Sequence, residues 1–339
     1  MTRWSTDRTT TGGVAFRTLP LMTRLRHRRW ARLGALAVVI GGLLAFNPSP
    51  LAGVVLLFVV VTPFEKLFPR HPQRLRRPGL GTDLVYALAG RGLSVLGLVV
   101  GVAIGVLSLV WVPALLLRPL VALLPHWLTA VAAFLLFDAL VYWAHRWSHE
   151  VPFLWRFHVI HHSSKQMDWL SGVRAHPLDG FVVAPAFVFL LAAGFNAKLG
   201  GVLVIVQIAV GLFLHANVRW RWRPLHRVVI TPEFHHWHHA DELGAHNTNY
   251  STFLPVWDLL FGTYFMPAGR RPQVYGAAEP VPDGLTAQLM HPLRGLPTPW
   301  SVVRTPRASA RRLRANLRRG WGQIVASSTR TRRPASVGT

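Results

Sequence analysis

Apolar residues in this chain are gathered into long blocks separated by short polar or basic stretches. Residues 31–46 and 51–64 are two such blocks, and the Asn47-Pro-Ser-Pro50 break between them predicts a helical hairpin, because asparagine and proline punctuate a turn. Residues 93–117 form the longest apolar stretch and predict one continuous helix of membrane-crossing length, since a ~30 Å hydrocarbon core needs about 20 residues. After the proline-bounded segment 119–125, residues 128–143 predict a further span. Residues 181–195 and 201–214 predict a last apolar pair, crossing fully or dipping as a hairpin. A basic linker, 70–77, precedes the third block, and Thr82-Asp83 offers an N-cap for the helix that follows.

The pattern therefore predicts an all-α fold, a polytopic membrane helical bundle. Charge adds sidedness. Arginine crowds the first 30 residues, the 70–77 linker, the region after Trp143 and the end of the chain. All four fall on one side if 31–64, 93–143 and 181–215 each make a hairpin, and the positive-inside rule makes that side cytoplasmic. Arg28-Arg29 resembles a twin-arginine signal, but a second apolar block follows at once without a small-residue cleavage site, so a retained first span is expected.

With 339 residues and a formal net charge of +24, the chain is expected to divide into a basic N-terminal tail (1–30), a membrane-embedded region (31–270) and a basic, largely disordered C-terminal tail (271–339). Residues 299–339 hold ten arginines and no acid, a composition that invites a nucleic-acid reading. Next to membrane spans, attraction to anionic lipid of about 1 kcal/mol per basic residue is the better account, and no nucleic-acid partner is expected. Absence of cysteine excludes disulfides, thiolate catalysis and a protein-ligated iron–sulfur cluster in this polypeptide.

Thirteen of the seventeen histidines lie between His145 and His246, all but His27, His71, His126 and His291. They include His145-Arg-Trp-Ser-His149, His158-Val-Ile-His161-His162 and His235-His236-Trp-His238-His239. On a helix, residues three and four apart share a face, so each cluster presents its imidazoles together. Eight such rings packed without a cation would leave many buried nitrogens unpaired. Structural zinc closes at four ligands and catalytic zinc at three, so eight histidines point to two metal ions, while imidazole alone does not say which metal. His215 and Asn217 close the last apolar pair at the depth of the first cluster, and Asp138, seven residues before His145, shares a stripe of the same helix. That carboxylate is expected either to hold a helix-packing hydrogen bond or to orient an imidazole. Trp143, Trp147, Trp155, Trp169 and Trp237 are placed either to line a lipid cleft or to anchor the chain at the interface.

At these residues the chain resembles the fatty acid hydroxylase and sterol desaturase superfamily, whose members carry HxxxH, HxxHH and HxxHH boxes. Asp138 and Tyr142, Ser163, Arg174-Ala-His176-Pro177, Asn249-Tyr250 and Trp257-Asp258 through Tyr264 extend the match over roughly residues 80 to 267. The resemblance implies a membrane-bound, non-haem di-iron centre that uses O2 to hydroxylate or desaturate a lipid. Carried over box by box, the expected ligands are His145, His149, His158, His161, His162, His235, His238 and His239, with His215 and His176 as additions. Asp138, Asn217 and Asn249 are expected to support them. His236 and Ser251 depart from the family pattern.

No haem motif or dinucleotide fingerprint is present in the sequence, so electrons are expected from a separate reductase with a ferredoxin or cytochrome. The expected setting is a bacterial cytoplasmic membrane, multi-pass, with a histidine-rich helical cap on the cytoplasmic face. Two rival classes share some of these features: a membrane zinc hydrolase with Glu233 or Glu242 as base, and a metal transporter.

Overall fold

The structure is a computed structural model that describes residues 50–109, 111–179, 183–221, 223–296, 311 and 314. The expectations for the N-terminal tail, for the first apolar block and for almost all of 297–339 lie outside the described residues. By contacts the chain divides at Val60, and the site described below lies wholly within residues 61–339.

Among the described residues no strand forms, and the fold is all-α, as the apolar pattern predicts. The α-helices are α1 (Pro50–Leu67), α2 (Leu80–Leu107), α3 (Arg118–Ala122), α4 (His126–Glu150), α5 (Pro152–His162), α6 (Ala184–Ala192), α7 (Ala197–Leu214), α8 (Pro232–His238), α9 (Val256–Phe261) and α10 (Leu285–Met290). Isolated antiparallel bridges join Pro69 to Val218 and Ala240 to Tyr275.

Two described helices, α4 and α7, are long and apolar enough to cross a membrane. They pack with α6 around Phe137, Val141, Leu190, Phe195 and Leu203. Their outer faces stay apolar and uncovered: Ile205 is 68% exposed and Leu123, just before α4, 81%. Apolar surface on that scale marks a face built for a lipid or protein partner.

Two expectations about the helices need correction, and a third, left open between crossing and dipping, is narrowed. Residues 93–117 are not one helix. α2 ends at Leu107, Leu109 turns with φ 57°, and Pro113–Leu117 forms a separate 3-10 turn, because Pro113 has no N–H to continue the ladder. Residues 181–195 supply only the nine-residue α6, about 14 Å of helix and too short to cross alone. Nor does Thr82-Asp83 cap α2. That helix starts after Gly79, which is left-handed at φ 79°, and no side chain caps it.

Asp83 instead lies fully buried, 2.7 Å from Arg77 Nη2 and 2.6 Å from Arg174 Nε, and Arg77 also grips Asp168. This four-residue ion network ties the start of α2 to the segment after α5. Removing one partner of such a buried network would leave an uncompensated charge, at a cost of about 3–5 kcal/mol.

The boundary expected at residue 270 is not a packing boundary. Residues 271–296 lie against the helical body: Tyr275 is buried, Leu285 packs on Tyr86 and Ile160, and Arg156 Nε donates to Pro292 O at 2.7 Å.

Candidate metal centre

The three histidine clusters fall where helical periodicity puts them: His145 and His149 on the last turns of α4, His158, His161 and His162 on the last turns of α5, and His235 and His238 on α8 with His239 as its C-cap. Val151 joins α4 to α5 through a single extended residue, and Pro152 starts α5. A proline there restricts the preceding residue to extended backbone, which forces a sharp bend and turns the two histidine faces toward each other.

Nine imidazoles gather into two groups. Nitrogens of His145, His149, His158, His162 and His238 lie within 4.8 Å of one another, and so do those of His161, His215, His235 and His239. The partition cuts across the clusters. Each i,i+4 pair (145/149, 158/162, 235/239) stays in one group, while the i+3 member of the second and third clusters, His161 and His238, goes to the other group. Both groups form one centre, since the His162 and His239 rings stack at 4.1 Å between centroids.

Carbonyl groups fix the tautomers. His145 Nδ1 lies 2.6 Å from Tyr250 O, His161 Nδ1 3.0 Å from Arg174 O, His215 Nδ1 2.7 Å from Gly211 O and His238 Nδ1 2.9 Å from Thr248 O. A carbonyl only accepts, so each Nδ1 carries the proton and each Nε2 presents a bare lone pair. His158 Nδ1 meets both oxygens of Asp179 at 3.0 Å.

In the four-histidine group the Nε2 atoms face one another, those of His161 and His215 as bare lone pairs. Nε2 of His215 lies 3.2 Å from that of His161, 3.1 Å from that of His239 and 3.3 Å from that of His235. In the other group, Nε2 of His149, His158, His162 and His238 is buried without a hydrogen-bond partner. Buried acceptors without donors are costly, and two lone pairs about 3.2 Å apart repel. A cation among them removes both costs, so the donor set fits a metal ion in each group, with neutral imidazole suiting iron, zinc, copper or nickel.

Burial, with the neighbouring imidazoles adding to the effect, favours the neutral form of six of these rings. His161 is pushed down to about 4 and His215 to about 3, and His162, His235, His238 and His239 lie well below the ordinary histidine value.

The remaining expected residues sit elsewhere. His176 is not in either group: its Nδ1 accepts from Leu178 N at 3.1 Å and its Nε2 donates to Leu289 O at 3.1 Å, so both nitrogens are taken by backbone. Asp138 orients no imidazole directly. It accepts from Phe253 N, Leu254 N and Trp257 Nε1, and so docks on α4 the same segment whose Tyr250 carbonyl holds His145. Asn217 pairs with the backbone of His71 through both side-chain atoms. Asn249, left-handed at φ 60°, binds Phe234 O and both backbone groups of Phe265, which fixes the start of α8. His236 is fully buried but turns away from the clusters: Nε2 donates to His215 O at 3.3 Å and Nδ1 accepts from Tyr275 at 3.1 Å. Of the tryptophans, Trp155 packs on His149 at 5.1 Å, whereas Trp169 and Trp237 are buried in packing contacts.

The fatty acid hydroxylase family model matches residues 130–263, which contain every histidine of both groups. Ornithine lipid hydroxylase OlsE of Rhizobium tropici is 31% identical over 74% of this chain and 76% of its own length. The chain belongs to the fatty acid hydroxylase family. Human alkylglycerol monooxygenase is 30% identical over 45% of the chain, which spans only 34% of that longer relative. A very-long-chain aldehyde decarbonylase of Oryza sativa subsp. indica is 29% identical over 41% of the chain and 54% of its own length. No solved structure matches.

Two parts of this fatty acid hydroxylase site are absent from the sequence reading. Asp179 is one, although a carboxylate three residues after His176 was a usable signal. Burial alone would raise its carboxyl, but the His158 ring beside it holds it below the ordinary value. Glu65 is the other. It lies 104 and 152 residues from its partners, accepting from Trp169 N and Asn217 N at 2.8 Å each, and so pins the turns that flank His161 and His215.

Proposed function

We propose that the chain is an integral-membrane di-iron oxygenase that hydroxylates an unactivated C–H bond of a lipid. His145, His149, His158, His162 and His238 hold one ion, and His161, His215, His235 and His239 hold the other. The observation that carries this reading is the convergence of the Nε2 atoms of His161, His215, His235 and His239 at 3.1–3.3 Å, with the ring proton of His161 and of His215 held on Nδ1 by a carbonyl. When bound, the ion pair supplies reduction of O2 and the oxidising power to break the C–H bond. The balance is RH + O2 + 2 e⁻ + 2 H⁺ → ROH + H2O. The chain holds no cysteine for an iron–sulfur cluster, so the electrons come from a separate reductase with a ferredoxin or cytochrome.

The protein's own residues hold and shield the site. Carbonyls of Tyr250, Arg174, Gly211 and Thr248 and the Asp179 carboxylate orient five of the nine rings, His145, His161, His215, His238 and His158, and aim their Nε2 atoms inward. Seven of the nine rings come from α4, α5 and α8 and an eighth from the C-cap of α8, and burial of these helix ends keeps water from the centre. An open apolar cleft of about 390 Å³, lined in part by Leu135, Leu136 and Ala139 of α4 with Phe195 and Trp257, suits an acyl chain. The names of the relatives favour a lipid substrate and hydroxylation over desaturation.

A surface zinc hydrolase is disfavoured by geometry. Glu233 faces Arg221, Arg271 and His226, and Glu242 faces Arg270 and the backbone of Gln273, so neither supplies a base to the histidines. We place the centre at the cytoplasmic face of a bacterial cytoplasmic membrane, under a multi-pass bundle.

Metal analysis of the purified chain, with lipid profiling of cells with and without it, tests the reading. Two irons per chain and an O2-dependent gain of 16 mass units in a lipid are expected. A single zinc, or lipid profiles that do not differ, would overturn it.

A further inference from the structure

Glu233 opens α8 two residues before His235, but its carboxylate points away from both histidine groups. Oε1 lies 4.0 Å from Nε of Arg221 and 4.0 Å from Nε of Arg271, and Oε2 lies 3.8 Å from Nε2 of His226. None of these is a hydrogen bond, which needs about 2.7–3.2 Å. A third guanidinium, Arg70, shares the cluster. Burial acts against its charge, Glu233 attracts it, and Arg271 and Arg221 repel it.

The polar atoms here are shielded and unanswered. Arg70 Nε and Nη2, Arg271 Nε, His226 Nε2 and Glu233 Oε2 are all buried without a hydrogen-bond partner. Arginine does not escape by losing its proton, so three guanidinium charges meet one carboxylate. Buried N–H groups of that kind require acceptor oxygens, and the cluster's own carboxylate is too distant to supply them.

The backbone of Arg70 and the guanidinium of Arg271 are held in place beforehand. Arg70 N donates to Asn217 O at 3.2 Å beside the Pro69–Val218 bridge, and Arg271 Nη2 donates to Arg219 O at 3.0 Å. The segment carrying Arg221 follows α7, one of the two helices of membrane-crossing length, and Arg219, Arg223 and Arg227 are exposed around it. Arginine and tryptophan just beyond an apolar helix sit at headgroup depth.

We propose that Arg70, Arg221 and Arg271 form a site for a phosphate oxyanion, carried by a lipid headgroup or free in solution. Guanidinium forks match the several oxygens of a phosphate, and the excess of cation over carboxylate gives the site its sign. The site lies outside the histidine groups and does not depend on what metal they hold.

Binding to the purified full-length chain tests this by calorimetry with dihexanoyl phosphatidic acid, inorganic phosphate and chloride at equal ionic strength. Variants are Arg70→Gln, Arg271→Gln and, as a control on an exposed arginine, Arg76→Gln. Saturable phosphate-dependent binding is expected, weakened about tenfold by losing one charge-assisted contact in Arg70→Gln or Arg271→Gln and unchanged in Arg76→Gln. Tighter binding of phosphatidate than of phosphate identifies a headgroup site, and equal binding identifies a free-anion site; either supports the proposal. Binding no stronger than chloride, or insensitive to both variants, overturns it. Metal content equal to wild type shows that a variant kept its fold, and Arg271→Gln serves if Arg70→Gln does not.

Discussion

Asp179→Asn is the most informative single change. The carboxylate meets His158 Nδ1 with both oxygens at 3.0 Å, is itself only 14% exposed, and lies opposite a Nε2 that is buried without a partner. Asparagine keeps the shape but not the charge, and its amide is able to donate to Nδ1, which would move the ring proton onto Nε2 and block ligation there. Loss of such an outer partner costs about 10–100-fold in metal affinity. At 1.36 kcal/mol per decade this is about 1.4–2.7 kcal/mol, and the shielding of the pair points to the upper half of that range. The loss should fall on one ion only, because His158 belongs to the five-histidine group. Titration with a chelator, followed by metal analysis, should show one ion leaving at about 10–100-fold lower chelator while the other is held as in wild type. Equal release of both ions, or release indistinguishable from wild type, would refute the assigned role of Asp179 and the division of the histidines into two groups.

Three further outcomes follow from the same geometry. His235→Ala should remove metal, whereas His236→Ala should keep metal content and lose about 1–3 kcal/mol of stability by leaving His215 O without its donor, as measured by metal analysis and denaturant unfolding. Acid should destabilise the protein. The buried rings are neutral when folded but take up protons near 6.5 when unfolded, so unfolding midpoints should be flat above about pH 6.5 and fall as pH drops toward about 4 for His161 and about 3 for His215; a midpoint unchanged between pH 7 and 4.5 would contradict this. Gly97→Ala should cost about 1–3 kcal/mol or more by thermal unfolding, because the new methyl would overlap the carbonyl oxygen of Pro177 and push on the segment that carries Asp179.

Much of this protein was written in local pattern. A run of apolar residues has to leave water whatever surrounds it, so the all-α character and the membrane-crossing length of α4 and α7 were legible. Histidines at i, i+3 and i+4 must emerge near one another on a helix, so the three clusters were legible too, as donors for metal. The charge of the linker and termini was equally plain.

What the pattern left open were relations across the chain. Which ring joins which group depends on the angle at which α4, α5 and α8 meet, so the split of His158 and His162 from His161 had no local signal. His235 and His236 are neighbours of identical type, and only the fold turns one inward and the other toward Tyr275. His176 had the same standing as His215 in sequence, yet Leu178 N and, 113 residues away, Leu289 O occupy it while His215 meets three other imidazoles. Hydrogen-bond partners such as Tyr250 O, Arg174 O and Asp179 orient the rings, and backbone carbonyls in particular leave no mark in composition. Periodicity fixes which side of its own helix a residue faces; only packing fixes what it meets there.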